Sequence, residues 1–272
     1  MNLFNIIDAL QLDKIDQEEF LKPAMRRGLF KKASEFSLKA ALASLPFAMM
    51  AIPKIVKANG QDSAIDTLNF ALTLEYLERE FYTLGVEASS LIPASDLAIF
   101  NQIKKHEEAH VTLLQGAITA SGGTPVTKPT FDFTTPYPSV FTDYATFLTL
   151  SQAFEDTGVR AYKGQAGNLL GTDTLTVALQ IHSVEARHAA EVRRLRGNKG
   201  WIVQSTANGV PSAVYGAGSP ATDYPAESNT VQGGLDLTTL NLGFSTDNLT
   251  EAFDEPLDKA TVTTIASLFI KS

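Results

Sequence analysis

Lys105-His106-Glu107-Glu108-Ala109-His110-Val111 and, further along, Val184-Glu185-Ala186-Arg187-His188-Ala189 decide how this chain is read. Each sets a Glu and a His three residues apart within an apolar pattern of helical period. A carboxylate and an imidazole then share one helix face, one turn apart. That is the geometry of a bidentate metal-binding pair, and it occurs twice. One Glu-x-x-His alone is usually a solvated face; a second, each with an upstream helical Glu at matched depth, points to a two-metal site.

Around these pairs the sequence predicts four long helices. The first spans 62–88, where Ile65, Leu68, Leu72, Leu77, Phe81 and Leu84 recur at helical spacing without an interrupting proline. The second runs from an N-cap at Ser95 to Ser121, ahead of Gly122-Gly123; the third covers 139–168; the fourth runs from 173 to Gly197, with Arg193, Arg194 and Arg196 placed to favour its C-terminal dipole. The 17 residues from Gly122 to Pro138 carry four prolines. A helix of about 27 residues is roughly 40 Å long, and 17 extended residues reach roughly 55 Å. This connection can cross the whole bundle, so two antiparallel hairpins joined by one long crossover are expected.

The hairpins repeat each other where chemistry is concerned. Glu75 and Glu155 are offset by 80, as are Tyr82 and Tyr162, while Glu107 and Glu185, and His110 and His188, are offset by 78. All four carboxylates fall about half-way along their helices, so turning one hairpin end for end keeps them level. The set Glu75, Glu107-x-x-His110, Glu155, Glu185-x-x-His188 resembles the ferritin-like di-iron carboxylate proteins, most closely the bacterioferritin and rubrerythrin arrangement. The resemblance covers roughly 62–197 and implies an all-α, ferritin-like four-helix bundle. Beyond it, Ala252-Phe253-Asp254-Glu255-Pro256-Leu257 is similar to bacterial ferritin-like domain proteins related to plant desiccation-associated proteins. By the family pattern, Glu107 and Glu185 bridge two ions while Glu75 and Glu155 each cap one. Four carboxylates balance two divalent cations, and oxygen-rich shells with some nitrogen suit iron or manganese better than zinc.

Several neighbours have two readings. Glu78 is an extra carboxylate on an access route or an exposed charge, and its counterpart Gly158 makes room for oxidant or for close helix packing. Tyr82 and Tyr162, seven residues after each capping Glu, bond near the ions or are core tyrosines. His182 lies one turn before Glu185, Glu191 is placed to orient His188, and His106 points away from the site.

The resemblance and ligand set together imply redox chemistry: two ferrous ions reacting with oxygen or hydrogen peroxide. The rivals are manganese catalase-like chemistry at two manganese ions, and a stress-protective or assembly module whose metal is structural. With no cysteine in 272 residues, thiolate sites, iron–sulfur clusters, disulfides and a rubredoxin-type electron module are excluded. A net charge of -8, with no basic cluster outside the N-terminal region, excludes nucleic acid as an expected partner.

Residues 1–60 read as a separate segment. Arg26-Arg27-Gly28-Leu29-Phe30-Lys31-Lys32, the uncharged run 40–52 and Val56-Lys57-Ala58 resemble a twin-arginine export signal, which implies a periplasmic protein. The alternative is a retained amphipathic arm on a cytoplasmic one. The run is too short for a membrane span. After Gly197 some fifty residues rich in Gly, Ser, Thr, Asn and Pro are anchored by Trp201, Val203, Tyr215, Leu235 and Leu240, and a last helix is expected from Pro256. A tail of this length suits a small homo-oligomer better than a storage cage.

Overall fold

The computed structural model describes residues 62–271 apart from 207, 241 and 242; the N-terminal segment read as an export signal or arm lies outside the described residues. Four long helices form the body: α1 (Ala64–Glu87), α2 (Leu97–Ala120), α3 (Tyr144–Gln165) and α4 (Thr174–Leu195). Two short helices follow, α5 (Thr246–Thr250) and α6 (Lys259–Ser267), with a two-stranded hairpin of β1 (Val231–Gln232) and β2 (Leu235–Asp236) before them. Among the described residues, no helix is long and apolar enough to cross a membrane.

Local chemistry sets the helix starts. Ser63 and Asp66 form a capping box on α1, Ser63 Oγ accepting from the Asp66 N–H at 3.1 Å. At α3 the expected start at Ser139 is five residues early: Asp143 accepts from the Thr146 N–H at 2.8 Å and caps the helix there, while Val140 turns into the core. Ser95 does not cap α2 either. Its neighbour Asp96 occupies that place and accepts from the Tyr144 hydroxyl at 2.8 Å, tying the first turns of α2 and α3 together.

That bond fixes the topology. The starts of α2 and α3 lie at one end of the bundle, so these helices run parallel and the segment between them returns the full length. It does so along α1: Asn69 holds Thr124 and Val126 near one end, and Phe133 meets the Phe81 ring edge-on at 5.3 Å further along. The chain is therefore an all-α four-helix bundle, α1 paired with α2 and α3 with α4, with one long crossover.

Its apolar interior is divided in two. One cluster gathers Phe81, Phe100, Phe133, Phe147 and Phe154 with Leu257, Val262 and Phe269 from the C-terminal region. The other gathers Leu68, Leu72, Val111, Leu114, Ile118 and Ile181. The level between them belongs to the charged residues described below.

Helix α3 is buried nearly all round because the tail covers its outer face. The tail crosses α3 at Gly164, where a Cβ would stand 2.0 Å from the Leu257 carbonyl oxygen. A fully buried Arg160 gathers the crossing strands. It donates to the carbonyls of Glu255 (3.0 Å), Val214 (2.5 Å), Gly216 (3.0 Å), Pro225 (3.0 Å) and Pro256 (3.3 Å), and pairs with Glu227 at 2.8 Å. Of the expected tail anchors only Tyr215 is buried, packing with Ile202, Val210 and Val214 on Ala153 of α3, whereas Trp201 and Leu240 are exposed. Nor does the last helix start at Pro256, whose carbonyl serves Arg160. Asp258 caps α6 instead, accepting from Thr261 N–H at 3.0 Å.

Replacing Arg160 by Met would leave Glu227 buried without a cation and several carbonyls unpaired, a loss of about 3–5 kcal/mol. Denaturant unfolding of Arg160→Met should show a loss of that size, partly restored by Glu227→Gln in the same chain; a loss below about 1 kcal/mol would mean the knot carries no stability.

Candidate metal centre

At mid-bundle each helix turns carboxylate or imidazole groups into the level between the two apolar clusters. Glu75 comes from α1, Glu107 and His110 from α2, Glu155 from α3, and Glu185 and His188 from α4. All four carboxylates have zero exposure, and the imidazoles are buried as well. All six sequence-predicted residues converge.

The imidazoles face the acids through Nδ1. His110 Nδ1 lies 3.1 Å from Glu75 Oε2, 3.0 Å from Glu107 Oε2 and 3.1 Å from Glu185 Oε1. His188 Nδ1 lies 3.0 Å from Glu107 Oε1, 3.3 Å from Glu155 Oε2 and 3.8 Å from Glu185 Oε2. Two quartets result, each with its donor atoms within 4.8 Å of one another: Glu75, Glu107, His110, Glu185 and Glu107, Glu155, Glu185, His188. Glu107 and Glu185 belong to both.

These atoms surround points in space more than they bond one another. Glu107 Oε1, Glu155 Oε2, both Glu185 oxygens and His188 Nδ1 are buried without a hydrogen-bond partner, close as they are. Orphaned buried polar atoms cost stability unless something else satisfies them. The donor set fits a pair of divalent cations: four carboxylates against four positive charges, with one neutral imidazole for each ion.

The tyrosines hold the outer oxygens, with their partners exchanged. Tyr82 donates to Glu155 Oε1 and Tyr162 to Glu75 Oε1, each at 2.5 Å. Each tyrosine therefore serves the capping carboxylate of the facing helix and not the one seven residues before it, because α1 and α3 pack face to face across the site.

Several neighbours depart from the sequence reading. His106 does not point away: its Nδ1 lies 2.8 Å from His188 Nε2, the rings stack at 5.1 Å, and exposed Gln102 reaches its other nitrogen at 2.7 Å. When His188 offers the Nδ1 lone pair to a cation, its Nε2–H donates to His106 Nδ1, and the Gln102 amide turns to accept from His106. Glu191, expected in this role, is exposed. The missed signal was the spacing of His106 and His110, four apart and so on adjoining parts of one face. His182 is directed to the Val159 backbone and not to the acids.

Of the two readings of Glu78 the exposed charge is excluded, since the residue is buried. It sits against Gly158, where a Cβ would stand 3.2 Å from Glu78 Oε1 and 3.7 Å from Glu185 Oε2. Of the two readings of Gly158, room for an oxidant or close helix packing, the contacts favour the second: the Glu78 and Glu185 carboxylates of neighbouring helices pack against it.

Electrostatics follow from burial. Desolvation, then Glu185 and Glu107, push Glu75 up to about 8, against the pull of His110. Glu78 and Glu155 are raised well above the usual carboxylate range, also chiefly by burial. For the imidazoles burial acts downwards but is overcome: contacts with Glu107, Glu185 and Glu75 raise His110 to about 12, and Glu155 with Glu107 raises His188 further. Burial alone would raise Glu185, yet His110 and His188 outweigh it and hold that carboxyl low. Without metal, protons on the imidazoles and on several carboxyls supply the missing positive charge.

The family model of the ferritin-like domain matches residues 63–198, from the N-cap of α1 to just beyond α4. No curated protein matches the chain.

A pH dependence follows. Carboxyls raised on folding bind protons that the unfolded chain has released, so stability falls as pH rises from about 4.5 to about 8 for Glu75. The raised imidazoles act the same way: their contribution is complete below about 6.5 and declines as pH climbs through about 12 for His110. The depressed Glu185 acts oppositely, but only below about 4.5. Chelator-treated protein should lose melting temperature between pH 5 and 8, and added divalent metal should stabilise it most at the upper end, where fewer protons compete. A melting temperature that climbs over this range in chelator contradicts the charge assignment.

Proposed function

Because the chain belongs to the ferritin-like family, we propose that it is a di-iron carboxylate protein that reacts ferrous iron with oxygen or hydrogen peroxide. The observation that carries this reading is the pair of quartets sharing Glu107 and Glu185, with inner oxygens that have no other partner. In this reading Glu75 and His110 would help hold one ion and Glu155 and His188 the other, with Glu107 and Glu185, which belong to both quartets, serving both. When bound, two ferrous ions would supply one electron each, enough with two protons from solvent to reduce hydrogen peroxide to two waters or oxygen to hydrogen peroxide.

The chain's own residues do the rest. Tyr82 and Tyr162 fix the outer oxygens of Glu155 and Glu75, so that the inner oxygens keep one orientation. His106 sets the ring plane and tautomer of His188, and through Gln102 links it to the surface. Burial and the neighbouring acids raise Glu78 well above the usual carboxylate range, which disfavours a fifth negative charge beside the four ligand carboxylates. The two phenylalanine- and leucine-rich layers keep bulk water from the centre.

Anaerobic titration of metal-free protein with ferrous iron should saturate at two ions per chain, and oxygen or peroxide should then produce ferric absorbance. Glu107→Ala, which breaks both quartets, should abolish both signals. Tyr162→Phe should retain iron but bind it about 10–100-fold more weakly, the usual cost of losing an outer-shell hydrogen bond. Natively purified protein carrying manganese, and evolving oxygen from peroxide, would replace iron with manganese catalase-like chemistry. Metal-dependent stability without any turnover would leave a structural metal site in a protective or assembly module.

A further inference from the structure

Away from the metal level, where the chain leaves α4 and folds back under the tail, lies a cavity of about 320 Å³. A smaller one of about 110 Å³ adjoins it, sharing Arg193, Trp201 and Ile202. Among the described residues no carboxylate lines the larger cavity, whereas Asp156, Glu251 and Asp254 line the smaller. One side is apolar, made by the half-exposed Trp201 ring and buried Ile202; the other carries Arg193, Lys199, Asn198 and Asn208.

The floor of the cavity is fixed. Tyr215 donates to Asp156 Oδ2 at 2.6 Å and accepts from Gln152 Nε2 at 2.7 Å, and the Gln152 carbonyl accepts from Arg196. Glu251, itself little exposed and lining the smaller cavity, pairs with Lys199. Arg193 is different. Its side chain is 6% exposed, yet of the five donors of a guanidinium only Nη2 has a hydrogen-bond acceptor among the described residues, Asp156. Arg196, immediately behind, bonds only uncharged groups: Gln152, Thr149 and the Asn208 carbonyl. Its charge is not cancelled by a contacting acid.

We propose that this cleft binds a small organic monoanion with a flat apolar body, its carboxylate on the spare donors of Arg193 and on Lys199 and its body against Trp201 and Ile202. The size and mixed lining are those of a small-molecule site. A bare inorganic anion would leave the apolar wall uncovered and most of the volume unfilled. A neutral apolar ligand would cover the spare Arg193 donors without offering them an acceptor, which is costly. The site stands apart from the six residues of the metal centre, so it does not depend on the iron reading.

The test uses a feature of the sequence: Trp201 is the only tryptophan. Its fluorescence in the full-length protein reports this cleft alone. Benzoate should change the emission saturably, and benzamide, of the same shape without the charge, should bind about tenfold more weakly, the size of one charge-assisted hydrogen bond. Arg193→Ala would strand Asp156 in the interior, so the variant of choice is Lys199→Met, whose side chain is more than half exposed and whose ion pair with Glu251, open to solvent on the lysine side, contributes little to folding. It should weaken benzoate severalfold, leave benzamide unchanged and leave the melting temperature within a degree or so. Calorimetric titration with benzoate provides the same numbers without fluorescence. Linear, unsaturable quenching, equal binding of the two probes, or indifference of benzoate to Lys199→Met would each overturn the proposal.

Discussion

Four glutamates at one level of a dry helical interior cannot all keep their charge unless positive charge lies among them. Removing even one carboxylate from water costs several kcal/mol in a real protein, and here apolar layers close off the level from both ends. Much of the bundle can be understood as an answer to this constraint. The tyrosines satisfy the outer oxygens, the imidazoles face the inner ones, and Glu78 is accommodated beside Gly158 where burial favours its neutral form. What the protein cannot supply from its own side chains is a charge of plus four at the centre, which two divalent cations would provide.

Helix α3 carries the consequences outward. Within six residues it presents Glu155 to the centre, Asp156 to Arg193 and Tyr215, and Arg160 to the tail. At 100° per residue these point in different directions, and each meets a buried partner because α3 is covered on all sides. The tail is thereby part of the folded body: the same helix that places a carboxylate at the metal level is gripped on its far side by Val214, Gly216, Pro225 and Glu227. The cationic cleft arises from the same arrangement, since Asp156 takes only one donor of Arg193.

The internal repeat is symmetric in its acids and imidazoles but not in what surrounds them. His106 supports His188, whereas the corresponding position in α4 is Val184, which cannot support His110 in that way. Glu78 likewise corresponds to Gly158, and the two are neighbours across the helix interface. The quartets therefore differ in hydrogen bonding and in nearby charge, although their donor types are the same.

Much of this could be read in the order of residues. Helical period fixes which side chains share a face whatever the surroundings, so Glu107 with His110 and Glu185 with His188 were legible, and the 78- and 80-residue offsets carried Glu75 and Glu155 with them. The reach of a 17-residue proline-rich link against the length of a helix determined the crossover. Contacts between helices were another matter. Packing of α1 against α3 exchanged the tyrosine partners, burial beside Gly158 turned Glu78 from a surface charge into a core acid, and a knot around Arg160 took the carbonyl of Pro256 and moved the last helix start to Asp258. Periodicity is a property of one segment and is written in it; whether a polar group is solvated or matched depends on atoms from distant segments, and only the assembled structure brings those together.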